Sequence, residues 1–220
     1  MKKQWYYKII TALVALLVIP ALLFLPILQL HVVASVVSVD FKQSVDAKWI
    51  FHFAKDKQTG NEALDKYLSG NGDVSKIWEN MGSIHTRITI YVVAVVLSVL
   101  FALAIIALVF VLKQKKGKLW VLALSGAGLL SSITASAAFS SIAAPLLNGT
   151  IKLGTLLGIG SIADGFINLE RFTGGSAVPV VLLLFLLLMI IVTVFLALDY
   201  MNDNKEKKHK PSQRKKTAKR

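Results

Sequence analysis

The chain has 220 residues, of which 55% are hydrophobic and only 17% are charged, and its formal net charge is +13. This balance, with a mean hydropathy of +0.64, excludes an ordinary water-soluble domain and predicts an integral membrane protein. Cysteine is absent, which excludes disulfide bonds, thiolate metal sites and a cysteine nucleophile.

Four apolar segments are long enough to cross a bilayer as helices, and none of them contains Asp, Glu, Lys or Arg. A hydrocarbon core of about 30 Å needs ~20 helical residues, and each segment exceeds the ~10 residues of a membrane β-strand. We therefore predict an all-α membrane fold, a bundle of four transmembrane helices. The predicted spans are residues 9–30, 88–112, 119–147 and 177–198.

The first span also resembles a secretory signal, because a basic stretch, residues 1–8, precedes it. Its apolar part is about 22 residues long, whereas a signal peptide has ~7–15. We expect an uncleaved membrane anchor.

Basic residues are concentrated in three segments. Residues 1–8 carry three basic residues and no acidic ones, residues 113–118 carry four and none, and residues 199–220 carry nine against three. The connections 31–87 and 148–176 are each neutral. Positively charged flanks are retained in the cytoplasm during insertion, so both termini and the 113–118 turn are predicted to be cytoplasmic in the plasma membrane.

The lysines of these segments have two interpretations. They can be solvated orientation signals, with a disordered tail, or they can contact anionic lipid headgroups. Gly117 is expected to permit the tight reversal between the second and third helices. Membrane lipid is an expected partner, and nucleic acid is not. The candidate lipid-contacting residues are Lys113, Lys115, Lys116, Lys118, Lys205, Lys207, Lys208 and Lys210.

The connection 31–87 is too long and too hydrophobic for a plain linker, and it is predicted to fold as a small extracytoplasmic α/β cap. The runs HVVASVVSV and SIHTRITIY indicate extended structure, and NEALDKYL and DVSKIWENM indicate helices. The aromatic residues can form the core of the cap or dock a partner protein. The candidate partner-binding residues are Trp49, Phe51, Phe53 and Trp78.

The third span differs from the others because small side chains recur in it at every fourth position. Such a row allows another helix to approach closely, so this helix is predicted to be the central packing helix. The alternative is a hydroxyl lining for a path through the membrane. This small-residue stripe consists of Gly128, Ser132, Ser136, Ser140 and Ala144.

The connection 148–176 is apolar and repeatedly broken by glycine. An irregular backbone cannot face hydrocarbon, so a re-entrant loop requires shielding by other helices. We expect an interfacial element lying against the cap, with the re-entrant loop as the alternative.

The arrangement of a first helix, a long outer segment, a short basic turn and a basic tail resembles the layout of claudins and related tetraspan proteins. The resemblance covers the pattern of spans and not the motifs. The claudin Trp and Gly-Leu-Trp pattern with two cysteines is absent, so no sealing or paracellular pore function is carried over and no family is assigned.

The sequence contains no pattern typical of a catalytic centre. His52 and His85 lack the paired spacing of metal ligands, and the spans contain no carboxylate pair. We expect no enzyme activity, no cofactor and no metal. The favoured function is a non-catalytic accessory, assembly or scaffold subunit that contacts other envelope proteins, or copies of itself, through helix packing and its cap. The alternative is a channel or transporter subunit that forms a path in an oligomer.

Overall fold

A computed structural model of the chain describes residues 2–34, 39–46, 82–111, 114–150, 152 and 167–217. Four α-helices and three β-strands lie in these ranges: α1 (Lys2–Phe24), β1 (Leu28–Ala34), β2 (Val39–Val45), α2 (Ser83–Val111), α3 (Gln114–Leu147), β3 (Ile167–Gly174) and α4 (Ala177–Thr217). Each helix includes a stretch long and apolar enough to cross a membrane, which confirms the four predicted spanning helices.

The four helices pack as an antiparallel ring. Helix α2 contacts α1 and α3, and α4 contacts α3 and α1. The ring of Tyr7, near the start of α1, lies 5.1 Å from that of Phe195, far along α4. At the other end Gly175, just before α4, donates a 2.9 Å hydrogen bond to Ile27, just after α1. The bundle therefore has a basic end, with residues 2–8, the start of α3 and the residues from 199 onward, and a sheet end.

Apolar side chains from all four helices fill the space between them. In a bilayer the lipid tails are as apolar as leucine, so helix association depends on close van der Waals packing. Large leucine and valine side chains remain exposed on the outer surface of every helix, as expected where lipid is the solvent. The largest fully buried apolar side chains are Phe185, Ile105, Leu188, Val18, Val121, Val181 and Val192.

The first helix ends earlier than predicted. The sequence placed a span over residues 9–30, but α1 ends at Phe24 and Leu28 already belongs to β1. Pro26 accounts for the difference, since proline lacks an N–H and disfavours the helical conformation of the residue before it. The carbonyl of Pro26 instead accepts a 3.1 Å hydrogen bond from the backbone N–H of Ala177, which joins the end of α1 to the start of α4.

The strands form one antiparallel sheet in the order β2-β1-β3. Position 31 lies opposite Lys42 on one side and Arg171 on the other, and a bulge follows it on the β3 side. The predicted extended run HVVASVVSV contributes its first four residues to β1 and its last residue to β2, and residues 35–38 lie outside the described residues. The third strand comes from the connection 148–176, for which we expected an interfacial or re-entrant element. The sheet therefore combines both connecting segments, because β1 accepts a neighbour on each edge.

The segment SIHTRITIY, predicted as extended, is helical. Helix α2 begins at Ser83, directly after Gly82, which has a positive φ of +46°. Alternating Ile and Thr residues over such a short stretch are compatible with a strand or with a helix. The long apolar run that follows is helical, and its helix includes this stretch. The remaining part of the predicted cap, residues 47–81, lies outside the described residues.

Two predictions at the basic end are also corrected. Gly117 lies inside α3, which begins at Gln114, so it does not form the reversal; the glycines with positive φ among the described residues are Gly82 and Gly149. The tail was expected to be disordered, but α4 continues to Thr217. Lysine, arginine and glutamate are good helix formers, and they extend a helix already nucleated in the span.

Candidate functional site

The small-residue stripe of α3 begins in the centre of the bundle. Gly128 is buried against Phe185 of α4, and a Cβ at this position would overlap the phenylalanine ring. Ser132, one turn later, is only 1% exposed. Glycine is therefore required for the close approach of α3 to α4, and this first part of the stripe is buried inside the bundle.

The second part of the stripe lies on the outside of the bundle. Ser136 is half-buried, whereas Ser140 and Ala144 are exposed. A four-residue repeat advances about 40° per step on a helix of 3.6 residues per turn, so the stripe rotates by about 160° between Gly128 and Ala144. One face of a straight helix cannot contain all five residues, and only the first two pack inside this chain.

The hydroxyl groups of the stripe bond within α3. Ser132, Ser136 and Ser140 each donate to the carbonyl four residues earlier, at distances of 3.0, 3.1 and 3.0 Å. The bond to another helix comes from Ser131, outside the stripe, which donates to the carbonyl of Ala94 at 2.7 Å. Its position beside Ser132 gave no separate signal in the sequence.

A cavity of about 190 Å³ lies beside the exposed part of the stripe, at the sheet end. Its wall includes Ser136, Ser140 and Phe139 from α3, Tyr91 from α2 and Gly175. The Tyr91 hydroxyl is buried and has no hydrogen-bond partner among the described residues. The cavity is thus mainly apolar, with a few hydroxyl groups at its wall.

The aromatic rings at this end connect α2, α3 and the sheet. Phe139 lies 5.9 Å from Tyr91 and stacks on Phe172 of β3 at 5.2 Å, measured between ring centroids. Such pairs contribute ~0.5–1.5 kcal/mol beyond the area they bury. They hold the sheet against the end of the bundle, so the cavity has a fixed wall.

Arg87 joins α2 to α3 at the sheet end. Its guanidinium donates to the backbone carbonyl of Ser141, a carbonyl that has no helical partner because position 145 is proline and lacks an N–H. The arginine therefore satisfies a backbone group that Pro145 leaves open. The sequence analysis did not identify this pair.

At the basic end, Lys118 of α3 forms an ion pair with Asp199 of α4, with 2.6 Å between Nζ and Oδ2. The lysine side chain is 4% exposed, and its Nζ lies 4.9 Å from the ring centroid of Tyr7 and 5.7 Å from that of Phe195. We expected Lys118 to contact lipid headgroups, and this is corrected. Its ammonium is directed into the bundle, where a carboxylate and two aromatic faces surround it.

The other candidate lysines remain at the basic end. Lys116 is exposed, Lys115 lies in the first turn of α3, and Lys113 is outside the described residues. The backbone of α4 passes through Lys205, Lys207, Lys208 and Lys210, whose side-chain positions the structure does not describe. The candidate partner-binding residues Trp49, Phe51, Phe53 and Trp78 also lie outside the described residues.

Exposed aromatic residues ring the basic end, which the sequence analysis did not identify. Tryptophan and tyrosine are enriched where a membrane protein meets the headgroup layer, because one part of the ring is apolar and the other polar. Helix α1 rises about 29 Å between Trp5 and Phe24, close to the ~30 Å hydrocarbon thickness. The exposed tryptophan and tyrosine residues at this end are Trp5, Tyr6, Trp120 and Tyr200.

The fold and the apolar outer surface define a four-helix membrane-spanning protein with a small sheet at one end of its bundle. Among the described residues, no group of three His, Asp or Glu side chains is placed to hold a metal ion. Comparison of the chain with protein-family models, with curated proteins and with solved structures found no match.

Proposed function

We propose that the chain is a non-catalytic multi-pass protein of the cell membrane that acts as an accessory, assembly or scaffold subunit for other envelope proteins. The observation that carries this proposal is the exposed part of the small-residue stripe. Ser140 and Ala144 leave a shallow lane on α3, while Gly128 and Ser132 of the same stripe pack against α4. A second helix lying in this lane gains the close contact that Gly128 gives to Phe185 inside the bundle.

The cavity next to this lane supports the same proposal. Ser136 and Ser140 lie on its wall, and the Tyr91 hydroxyl, which has no hydrogen-bond partner in the described part of the chain, is buried beside it. A buried hydroxyl without a partner costs ~1–3 kcal/mol, which a polar group on an incoming helix offsets. The lane and the cavity together form a lateral docking site at membrane depth.

The proposed orientation places both termini in the cytoplasm. Its support is the distribution of charge, because the basic segments at the start of α1, at the start of α3 and along α4 all lie at one end of the bundle. Positively charged flanks are retained inside during insertion. The sheet, with the rest of the cap, then lies outside the cell.

Two matched leucine variants test the docking role. Ser140→Leu fills the lane, whereas Thr134→Leu replaces another exposed hydroxyl that bonds back to its own helix, about 120° round α3 from Ser140. We expect a partner that copurifies stoichiometrically in mild detergent to be lost from the Ser140→Leu variant and kept by Thr134→Leu. Thermal unfolding of both variants should match that of the unaltered protein. Retention of every partner by Ser140→Leu would contradict the proposal.

The alternative function is a channel or transporter subunit. Its support is the exposure of Ser140, whose hydroxyl group lines a path if several copies of α3 face one another. The interior of one chain is filled at the described positions by large apolar residues such as Ile105 and Phe185, so this path requires an oligomer. Purified homo-oligomers that pass solute across liposome membranes, with Ser140→Leu reducing the flux, would favour this alternative.

A further inference from the structure

The two faces of the sheet differ in chemistry. In a strand, successive side chains point to opposite faces. On the first face, Phe172 of β3 stacks on Phe139 of α3, and Val45 of β2 is buried. The first face therefore packs on the bundle, and the second face is turned away from it.

A row of basic side chains crosses the second face. His31 in the central strand lies directly opposite Lys42 in β2 and directly opposite Arg171 in β3. Residues opposite one another in antiparallel strands share a face, with Cβ atoms ~4.5–5.5 Å apart. The next row on the same face contains Gln29, Ser44 and Thr173, which carry amide and hydroxyl groups.

A cavity of about 360 Å³ lies over this row. Its lining includes Lys42, Arg171, His31, Gln29 and Ser44, and no Asp or Glu lines it among the residues whose side chains the structure describes. The cavity therefore has two permanent positive charges and several hydrogen-bond donors. Acidic residues also occur in and beside the strands: Asp40 precedes Lys42 by two residues in β2, Asp46 follows β2, and Glu170 occupies the bulge beside Arg171.

From this geometry we propose that the row Lys42–His31–Arg171 binds the phosphate group of an anionic phospholipid headgroup. The arginine fork donates two hydrogen bonds to phosphate oxygens, the lysine supplies a point charge, and Gln29 or Ser44 donates to the remaining oxygens. The row uses side chains from both connecting segments, so it exists only when the full sheet has formed.

The position of the sheet selects a lipid as the source of the phosphate. Strand β1 begins four residues after α1 ends, and β3 ends three residues before α4 begins. The basic row is three residues further along β1 than Leu28, or about 10 Å at ~3.3 Å per residue. This is the depth of the headgroup layer, whichever side of the membrane the sheet occupies. The inference is independent of the proposed accessory function.

The test compares lipid binding by three forms of the full-length protein in detergent, measured by native mass spectrometry. The forms are the unaltered chain, the double variant Lys42→Gln/Arg171→Gln and the control Lys152→Gln, which removes an exposed lysine outside the sheet. Each form is titrated with phosphatidylglycerol and with phosphatidylcholine of the same acyl chains. All three keep the basic tail, so its contribution is constant.

We expect the double variant to bind phosphatidylglycerol roughly thirtyfold more weakly than the unaltered chain, given ~1 kcal/mol for each of the two basic residues removed near a membrane surface. The control should stay within about twofold, and phosphatidylcholine should bind weakly to all forms. Equal phosphatidylglycerol binding by the unaltered chain and the double variant would overturn the proposal. If inorganic phosphate or glycerol phosphate displaced phosphatidylglycerol when present at the same concentration, the site would bind free phosphate. That result would overturn the assignment of the ligand as a lipid headgroup.

A further pair of variants distinguishes a loss of lipid binding from a folding defect. Arg171→Lys and Lys42→Arg keep every charge and change only the shape of the cationic group. We expect Arg171→Lys to weaken phosphatidylglycerol binding more than Lys42→Arg does, because only arginine offers two parallel donors. Equal binding by both variants at the level of the unaltered chain would contradict the role of the arginine fork.

Discussion

Lys118 and Asp199 join the start of α3 to α4 through an ion pair of 2.6 Å, although 81 positions separate them in the chain. The lysine is almost fully buried and the aspartate keeps 29% of its side chain exposed. The removal of one partner from a buried pair leaves an uncompensated charge, which is costly. Tyr7 and Phe195 cannot replace the carboxylate, because cation–π attraction is weaker than a charged hydrogen bond.

The first prediction concerns this ion pair. Asp199→Asn should lower the free energy of unfolding by about 1–3 kcal/mol, less than for a fully enclosed pair because Asp199 is partly exposed. The measurement is thermal unfolding in detergent, followed by circular dichroism. The double variant Lys118→Met/Asp199→Leu should recover most of the loss. A double variant no more stable than Asp199→Asn would indicate that the pair itself, and not the stranded lysine, matters.

The second prediction concerns the approach of α3 to α4. Gly128→Ala places a Cβ in the ring of Phe185, which is fully buried and cannot move aside. Overpacking of this kind costs about 1–3 kcal/mol. Gly126→Ala is the matched control, since a Cβ there meets nothing within 4 Å and alanine favours a helix over glycine. Thermal midpoints should fall for the first variant and rise slightly for the second.

The third prediction concerns the junction between the sheet and the helices. A Cβ at Gly175 would overlap the backbone carbonyl of Pro26, which is fixed by its hydrogen bond to Ala177. Gly175→Ala should therefore cost about 3 kcal/mol, the upper end of the overpacking range. Gly174→Ala places its Cβ 3.4 Å from Phe139, an ordinary contact, and should be tolerated. The yield of folded protein in detergent and its thermal midpoint distinguish the two.

The fourth prediction concerns Arg87 and Pro145. Arg87→Met should destabilise the bundle by about 1–3 kcal/mol, because the carbonyl of Ser141 loses a charged donor. In a Pro145→Ala background the restored N–H at position 145 can bond to that carbonyl, so Arg87→Met should cost about 1 kcal/mol less there. A double-mutant cycle of thermal stabilities measures the difference. An identical loss of stability from Arg87→Met in both backgrounds would show that the role of Arg87 does not depend on Pro145.

The fifth prediction concerns orientation, and the absence of cysteine makes it direct to test. Lys152→Cys and Asn204→Cys each introduce one thiol at an exposed position, the first beyond α3 and the second along α4. A membrane-impermeant maleimide should label Lys152→Cys in intact cells and Asn204→Cys only after permeabilisation. The reverse pattern would invert the proposed topology.

The sequence predicts the four helices well because a bilayer imposes a simple length and polarity requirement on each of them. It predicts their ends less well. Residues 25–30 are as apolar as the helix before them, so hydropathy continues through the point where Pro26 stops α1. Strand pairing is also hidden, since the neighbours of β1 come from segments far apart in the chain.

The candidate sites likewise include one contact that the sequence predicts and one that it does not. The approach at Gly128 was predictable, because small side chains allow two membrane helices to approach closely. The burial of Lys118 was not predicted, since a lysine beside a membrane span usually reaches the headgroups. A signal was present: Lys118 directly precedes the third span and Asp199 directly follows the fourth, and antiparallel helices bring these positions to the same level.

The central position of β1 constrains the order in which the sheet can form during synthesis. Its pairing with β2 needs only the first part of the chain, but its other edge is completed by residues 167–174. Those residues are synthesised only after the first three helices, because β3 follows α3 in the chain. During synthesis the open edge of β1 is exposed to aggregation or to premature pairing, and insertion of the last helix closes it.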